Sequence, residues 1–229
     1  MTHRTAYRLL PLLLAATGAV SAATPAVKPY SADYDANYMG LHGTGHMSLA
    51  RQDGGRWVYS MRIGSSIAQL SQSTVFDVSG DNLRPLSGTD SSVLLVKRVD
   101  KEAKYDWKSG QAHWSGDVKP DRKGPVALQP GDVDAMLLNL ALPRDVAAGQ
   151  PLRYRMVDNG RAKQVDCTAN GEEALAVGGK SLQATRVSCD LGSDKQILLW
   201  VVDGLPFPAR ILQRKDGKDD IDLRLAKAG

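Results

Sequence analysis

Residues 152–167, LRYRMVDNGRAKQVDC, decide how this chain folds. Asn159-Gly160 stands between two runs in which apolar and polar side chains alternate, and Asn-Gly in that setting is the strongest short hairpin signal. A two-residue turn pairs Asp158 with Arg161. It then sets Tyr154 opposite Val165 and Leu152 opposite Cys167, all on one face. Downstream, Gly178-Gly179 marks a second turn. A three-residue loop there places Cys167 opposite Cys189, on the face shared by Val187 and Leu191. A two-residue loop misses by one position, so a Cys167–Cys189 bond requires a bulge or a wider turn. These are the only two cysteines, which leaves one possible pairing.

The same rhythm extends in both directions. Asp53-Gly54-Gly55, Gly80-Asp81-Asn82, Ser109-Gly110 and Asp216-Gly217 punctuate runs of period two. Tyr30 to Tyr38 is one such run, and Trp57, Tyr59, Met61 and Ile63 share a face of another. A two-residue loop at Ser109-Gly110 pairs Lys108 with Gln111 and so predicts Tyr105 directly across from Trp114. One segment departs from this pattern. Val133, Met136, Leu137 and Leu140 follow helical spacing, with Asp132 or Gly131 as the expected cap and Pro143 as the expected end. Its apolar stripe reads as core, and residues 118–130 read as a surface loop. The expected fold is mainly β: a curved antiparallel sheet or partial β-barrel built from hairpins, with one packed α-helix.

Composition narrows the setting. The chain has 229 residues and a formal charge of +4. Residues 1–22 carry the three parts of a secretory signal: Arg4 and Arg8, an apolar run from Leu9 to Ala16, and the small-residue site Val20-Ser21-Ala22. Removing them lowers the charge to +2 and leaves residues 23–229 as a single antiparallel β domain. No electrostatic footprint for nucleic acid remains, and no later stretch is long enough to span a membrane. Export to the periplasm permits the disulfide.

Motifs for chemistry are sparse. His42 and His46 lie too far apart along a strand to grip one metal, and His113 stands alone. Gly40, Gly43 and Gly45 read as strand irregularities or sites of close backbone approach rather than a dinucleotide loop. Glu172-Glu173 and Asp219-Asp220 read as solvated charges in turn-like stretches. No metal, cofactor or catalytic residue is expected, and an enzyme is not required. Period-two counting places Tyr34, Tyr38, Trp57, Tyr59, Tyr105, Trp107, Trp114 and Trp200 on inward faces. Those aromatics either fill the core or line a cavity for an apolar ligand.

The order of features is similar to an exported bacterial family, domain of unknown function 3108. The resemblance rests on Asp53-Gly54-Gly55-Arg56, the run 134–140, Asp158-Asn159-Gly160, residues 182–187, the stretch 200–206 and Pro208-Ala209-Arg210-Ile211. Cys167 and Phe207 lie outside the family pattern. The resemblance implies a periplasmic half-barrel like that of lipoprotein carriers, with no established catalytic residues. It also implies a protein-binding role, as in an immunity protein that neutralises a periplasm-acting toxin. The alternative, read from the inward aromatic face, is a carrier or sensor of an apolar ligand such as an acyl chain.

Overall fold

The computed structural model describes residues 27–192 and 194–228. The signal segment expected at residues 1–22 lies outside them. Seven strands follow one another as hairpins: β1 (Tyr30–Tyr38), β2 (Leu41–Arg51), β3 (Trp57–Gly64), β4 (Ala68–Ser79), β5 (Asn82–Leu94), β6 (Lys97–Asp106) and β7 (Gln111–Gly116). The short β8 (Val126–Ala127) and the helix α1 (Ala135–Ala147) come next. A second series then runs through β9 (Arg153–Asp158), β10 (Arg161–Val177), β11 (Lys180–Asp190), β12 (Lys195–Val201), β13 (Arg210–Lys215) and β14 (Lys218–Ala228).

All fourteen strands belong to one antiparallel sheet, in which β14 pairs with β1 and joins the two series. The free ends of the sheet, β8 and β9, come back towards each other. A single parallel bridge, Val133 to Met156, spans the space between them. Arg155 Nη2 donates to Ala127 O at 3.1 Å and Arg122 Nη1 to Asn159 O at 3.1 Å, so side chains complete what the ladder does not. The result is a nearly closed barrel with one helix, which meets β4, β5 and β9. Residues Met136 to Pro143 of α1 are buried without interruption, so all faces of that stretch are enclosed. With Tyr34, Met47, Tyr59, Phe76, Leu199 and Leu223 they form the main core.

The Asn159-Gly160 hairpin has the expected register, with Asp158 opposite Arg161 and Tyr154 opposite Val165. Cys167 N–H donates to Leu152 O at 2.8 Å, continuing it. Cys167 and Cys189 are bonded, with Cα atoms 4.1 Å apart. The turn at Gly178-Gly179 has two residues, and a bulge between Ala169 and Glu172 supplies the missing position. Gly171, at a φ of 90°, is the residue that permits it.

Five expectations need correction. Gln111 pairs with Asp106, not with Lys108, so Tyr105 faces Ala112 and Trp114 faces Ala103. The cause is Asp106, whose carboxylate accepts from the Lys108 and Ser109 N–H groups and shapes a four-residue loop. The two rings still meet diagonally, edge-on at 5.9 Å. The helix is capped by Asp134, whose side chain accepts from Leu137 N–H, rather than by Asp132 or Gly131. Pro143 lies inside it rather than ending it. Enclosure by the barrel outweighs the lost hydrogen bond, and the end comes at Gly149 (φ 61°). There Gly149 N–H bonds Val146 O and Gln150 N–H bonds Asp145 O, the Schellman pattern. Glu172-Glu173 and Asp219-Asp220 lie within β10 and β14, not in turns, and Glu173 accepts from Trp200 Nε1. Trp200, finally, pairs with Arg210 on the face of β12 opposite Leu199, yet it is buried and packs within the main core cluster. The Arg210 guanidinium covers it at 4.4 Å.

Candidate functional site

Two cross-strand rows create a cavity beside the start of α1. In one row Thr74, Gly88, Ala103 and Trp114 lie side by side across β4 to β7; in the next, Gln72, Asp90 and Lys101 do. Gly88 and Ala103 are too small to fill the space in front of them. A Cβ added at Gly88 would lie 3.6 Å from Ala103 Cβ and 3.9 Å from Asp134 Oδ2, so this floor faces the helix cap. The cavity holds about 120 Å³ and is walled by Tyr105, Trp114, Asp90, Asp134 and Asp158.

Its electrostatics follow from burial. Asp134 caps α1 through Oδ1, 2.8 Å from Leu137 N, and Oδ2 accepts from Thr74 Oγ1 at 2.5 Å. Removal from water nevertheless dominates, and the carboxyl is pushed up to about 6. Burial also raises Asp158, at the end of β9, and the nearby Asp90 charge adds to the effect. Asp90 itself accepts from Lys101 Nζ at 3.3 Å. Three carboxylates against one ammonium make a pocket that favours a positive guest. Tyr105 forms one wall, with its hydroxyl donating to Val157 O at 3.1 Å. That bond ties β6 to β9 across the incomplete seam.

The chain matches the model for a protein family of unknown function, DUF3108, over residues 30–224. It belongs to that family. No curated protein matches it. Among solved structures, a β-barrel-like protein of domain of unknown function DUF1849 from Brucella abortus is similar, with a TM-score of 0.55 and 13% identity. The match covers 87% of this chain and 96% of that one, and it establishes likeness of fold alone.

For this DUF3108 chain the seven inward aromatics divide by position. Tyr34 and Tyr59 are buried in the main core, where Tyr34 OH donates to Pro208 O at 3.0 Å and Tyr59 OH to Met47 Sδ at 3.3 Å. Trp57 packs against that core from its edge, and Tyr38 borders a hollow of only about 10 Å³. Tyr105 and Trp114 wall the acidic cavity. Trp107 borders a different one of about 130 Å³, with Arg84 and Asp132. Its indole donates to Pro85 O at 2.6 Å, and Arg84 lies over its ring.

Asp90, Asp134 and Asp158 were not singled out as site residues from the sequence. Asp134 reads as part of the helical run 134–140, and Asp158 as the flank of a hairpin. Only the barrel's near-closure brings them together with Asp90. Of the other motifs, Gly43 is a site of close approach, because a Cβ there would lie 2.1 Å from Gly64 O. His46 Nδ1 lies 2.7 Å from Asp33 Oδ1 on an exposed face. The disulfide points to an oxidising compartment, periplasmic or extracellular. Among the described residues no helix is long and apolar enough to cross a membrane.

Proposed function

We propose that this is a non-enzymatic binding protein of the bacterial periplasm. Its partner is another protein, which presents a Lys or Arg side chain to the cavity walled by Asp90, Asp134 and Asp158. The observation that carries this reading is the cavity itself. At about 120 Å³ it is well below the ~300–1,000 Å³ of small-molecule sites, yet it suits the end of one side chain. Its carboxylates, Asp134 buried and Asp90 and Asp158 half-buried, gain from a cation that replaces lost water, as do desolvated charge pairs in protein interfaces. The disulfide and the filled core support a rigid surface that is organised before binding. Neutralisation of a periplasm-acting toxin is the form of such binding we favour, since it demands export, rigidity and a surface but no catalyst.

Co-expression with a toxin encoded beside it and directed to the periplasm should restore growth, and the pair should co-elute in size exclusion. A D90N/D158N variant should lose the partner. The wild-type complex should weaken as pH falls through about 6, where Asp134 takes up a proton. Failure to rescue with no complex, or unchanged binding by D90N/D158N, would overturn the proposal.

The alternative, a carrier of an acyl chain, needs continuous apolar volume. Tyr34, Tyr59, Phe76 and α1 occupy the concave face, so the packing lends it no support. Native mass spectrometry of protein taken from the periplasm would revive it by showing a bound lipid.

A further inference from the structure

We propose that Asn170-Gly171 is a self-modification site, separate from the acidic cavity and from the function proposed for it. There the chain converts Asn170 into aspartate and isoaspartate, with Ser188 polarising the side chain that reacts. The sequence contains two Asn-Gly pairs, 159–160 and 170–171. Both carry the same latent chemistry, because glycine has no side chain to shield its nitrogen from the preceding carboxamide. Local charge does not separate them, since Asp158 precedes one pair and Glu172 follows the other. The folded surroundings do.

At Asn170 the fold leaves the reaction free. Asn170 and Gly171 fall in the bulge between Ala169 and Glu172, so neither has a partner in register on β11. The extra residue of a bulge stands outside the ladder, which is locally disrupted there. Both residues are exposed, and a Cβ added to Gly171 would meet nothing within 4 Å. The peptide between them can therefore rotate without displacing a neighbour. Ser188, on β11, donates its hydroxyl to Asn170 Oδ1 at 2.7 Å. That bond draws electrons from the carboxamide carbon and stabilises the negative charge its oxygen acquires under attack.

At Asn159 the fold locks the same pair. Asn159 and Gly160 hold φ values of 47° and 72° in the tight turn closed by Asp158 and Arg161. Arg122 Nη1 donates to Asn159 O at 3.1 Å. Arg122 O lies only 2.1 Å from where a Cβ on Gly160 would stand. The 159–160 peptide is thus walled in, and its nitrogen cannot swing towards the Asn159 side chain without a clash.

The chemistry at Asn170 balances with water alone. The Gly171 nitrogen gives its proton to hydroxide and attacks Asn170 Cγ, closing a succinimide ring. The carboxamide C–N bond breaks, and its nitrogen takes up a proton and leaves as ammonia. Water then adds to either ring carbonyl and opens it, to aspartate or to isoaspartate. The product places a new carboxylate beside Glu172. As isoaspartate it also adds one main-chain carbon at the base of the hairpin arm that packs Leu175, Val177 and Leu182 against the main core.

The protein with its disulfide intact, kept for weeks at about pH 8 and 37 °C, provides the test. After reduction, trypsin separates the two sites into residues 156–161 and 164–180. The second fragment should gain one mass unit, with isoaspartate present, about tenfold or more faster than the first. S188A should slow that gain about threefold or more, the effect of losing one hydrogen bond to the reacting group. Reduced protein in concentrated urea should show no preference between the sites. Equal rates in the folded protein would overturn the proposal, as would an S188A variant that reacts at the wild-type rate. A preference that survives in urea would belong to the local sequence rather than the fold and would overturn it too.

Discussion

Asp134 meets two structural demands at a chemical cost. Its carboxylate caps α1 and holds Thr74, but enclosure between helix and sheet raises its proton affinity, to about 6. A carboxyl that titrates higher folded than unfolded stabilises the fold while protonated. That stabilisation is complete below the unfolded value of about 4 and is lost as pH rises through about 6. The shift is on the order of 3 kcal/mol between those limits. Asn caps a helix about as well as Asp, and with its oxygen on Leu137 N–H its amide nitrogen faces Thr74, whose hydroxyl oxygen can accept from it. D134N should therefore flatten the dependence of stability on pH between 4 and 6, read as the denaturation midpoint of variant against wild type. Parallel curves for the two would show that Asp134 does not titrate in this range. The disulfide is a second contribution that a single residue controls. Cys189→Ser should cost about 2–4 kcal/mol under non-reducing conditions, because the bond closes a separation of 22 residues. A variant as stable as the wild type would show that the bond adds nothing.

At the scale of elements, the β9–β10 hairpin carries the most local information and also depends on a distant segment. Asn159-Gly160 fixed its register because turn, alternation and facing pairs agreed. Ser109-Gly110 looked equivalent, yet Asp106 captured two backbone N–H groups and lengthened that loop. The bulge at Gly171 was legible only as a need, since alternation alone does not say where an extra residue goes. Pro143 misled because enclosure of α1 on all sides is a tertiary fact. The acidic cavity was illegible for the same reason: Asp90, Asp134 and Asp158 are far apart in the chain and none carries a motif. Gly160 shows how such long-range contact becomes a requirement. A Cβ there would lie 2.1 Å from Arg122 O, and its φ is 72°. Both the contact and the backbone demand glycine, so Gly160→Ala should destabilise the protein by about 1–3 kcal/mol. Gly149→Ala provides the comparison. It has a similar φ of 61° but nothing within 4 Å of the added carbon, so equal costs at the two sites would show that the Arg122 contact is unimportant.

The whole molecule is a ring of strands with one weak joint. β1 and β14 form a ladder of seven residue pairs, with one irregularity between Asp33 and Tyr34, where the two series meet. At the other junction, Val133 and Met156 supply a single bridge, supported by Arg155, whose Nη1 lies 2.5 Å from the fully buried Asp132 carboxylate. Local opening follows the weakest set of buried hydrogen bonds, so the barrel should open at this joint first. Amide exchange should be faster at Val133 and Val157, which bond across the joint, than at Asn37 and Asp222, which face each other across β1 and β14. Arg155→Leu should widen the gap. It leaves the Asp132 carboxylate buried without its cation, a loss worth up to about 3–5 kcal/mol where both groups are fully enclosed and less here, because Arg155 is partly exposed. Exchange at the joint should then rise about tenfold or more with the ladder unaffected. Uniform acceleration of both would mean that the barrel opens only as a whole. The distinction bears on the proposed binding site, because Tyr105 and Asp158 wall the cavity from opposite sides of this joint. Opening there would admit a partner's side chain without unfolding the core, whereas opening only as a whole would require the cavity to receive its guest from the rim.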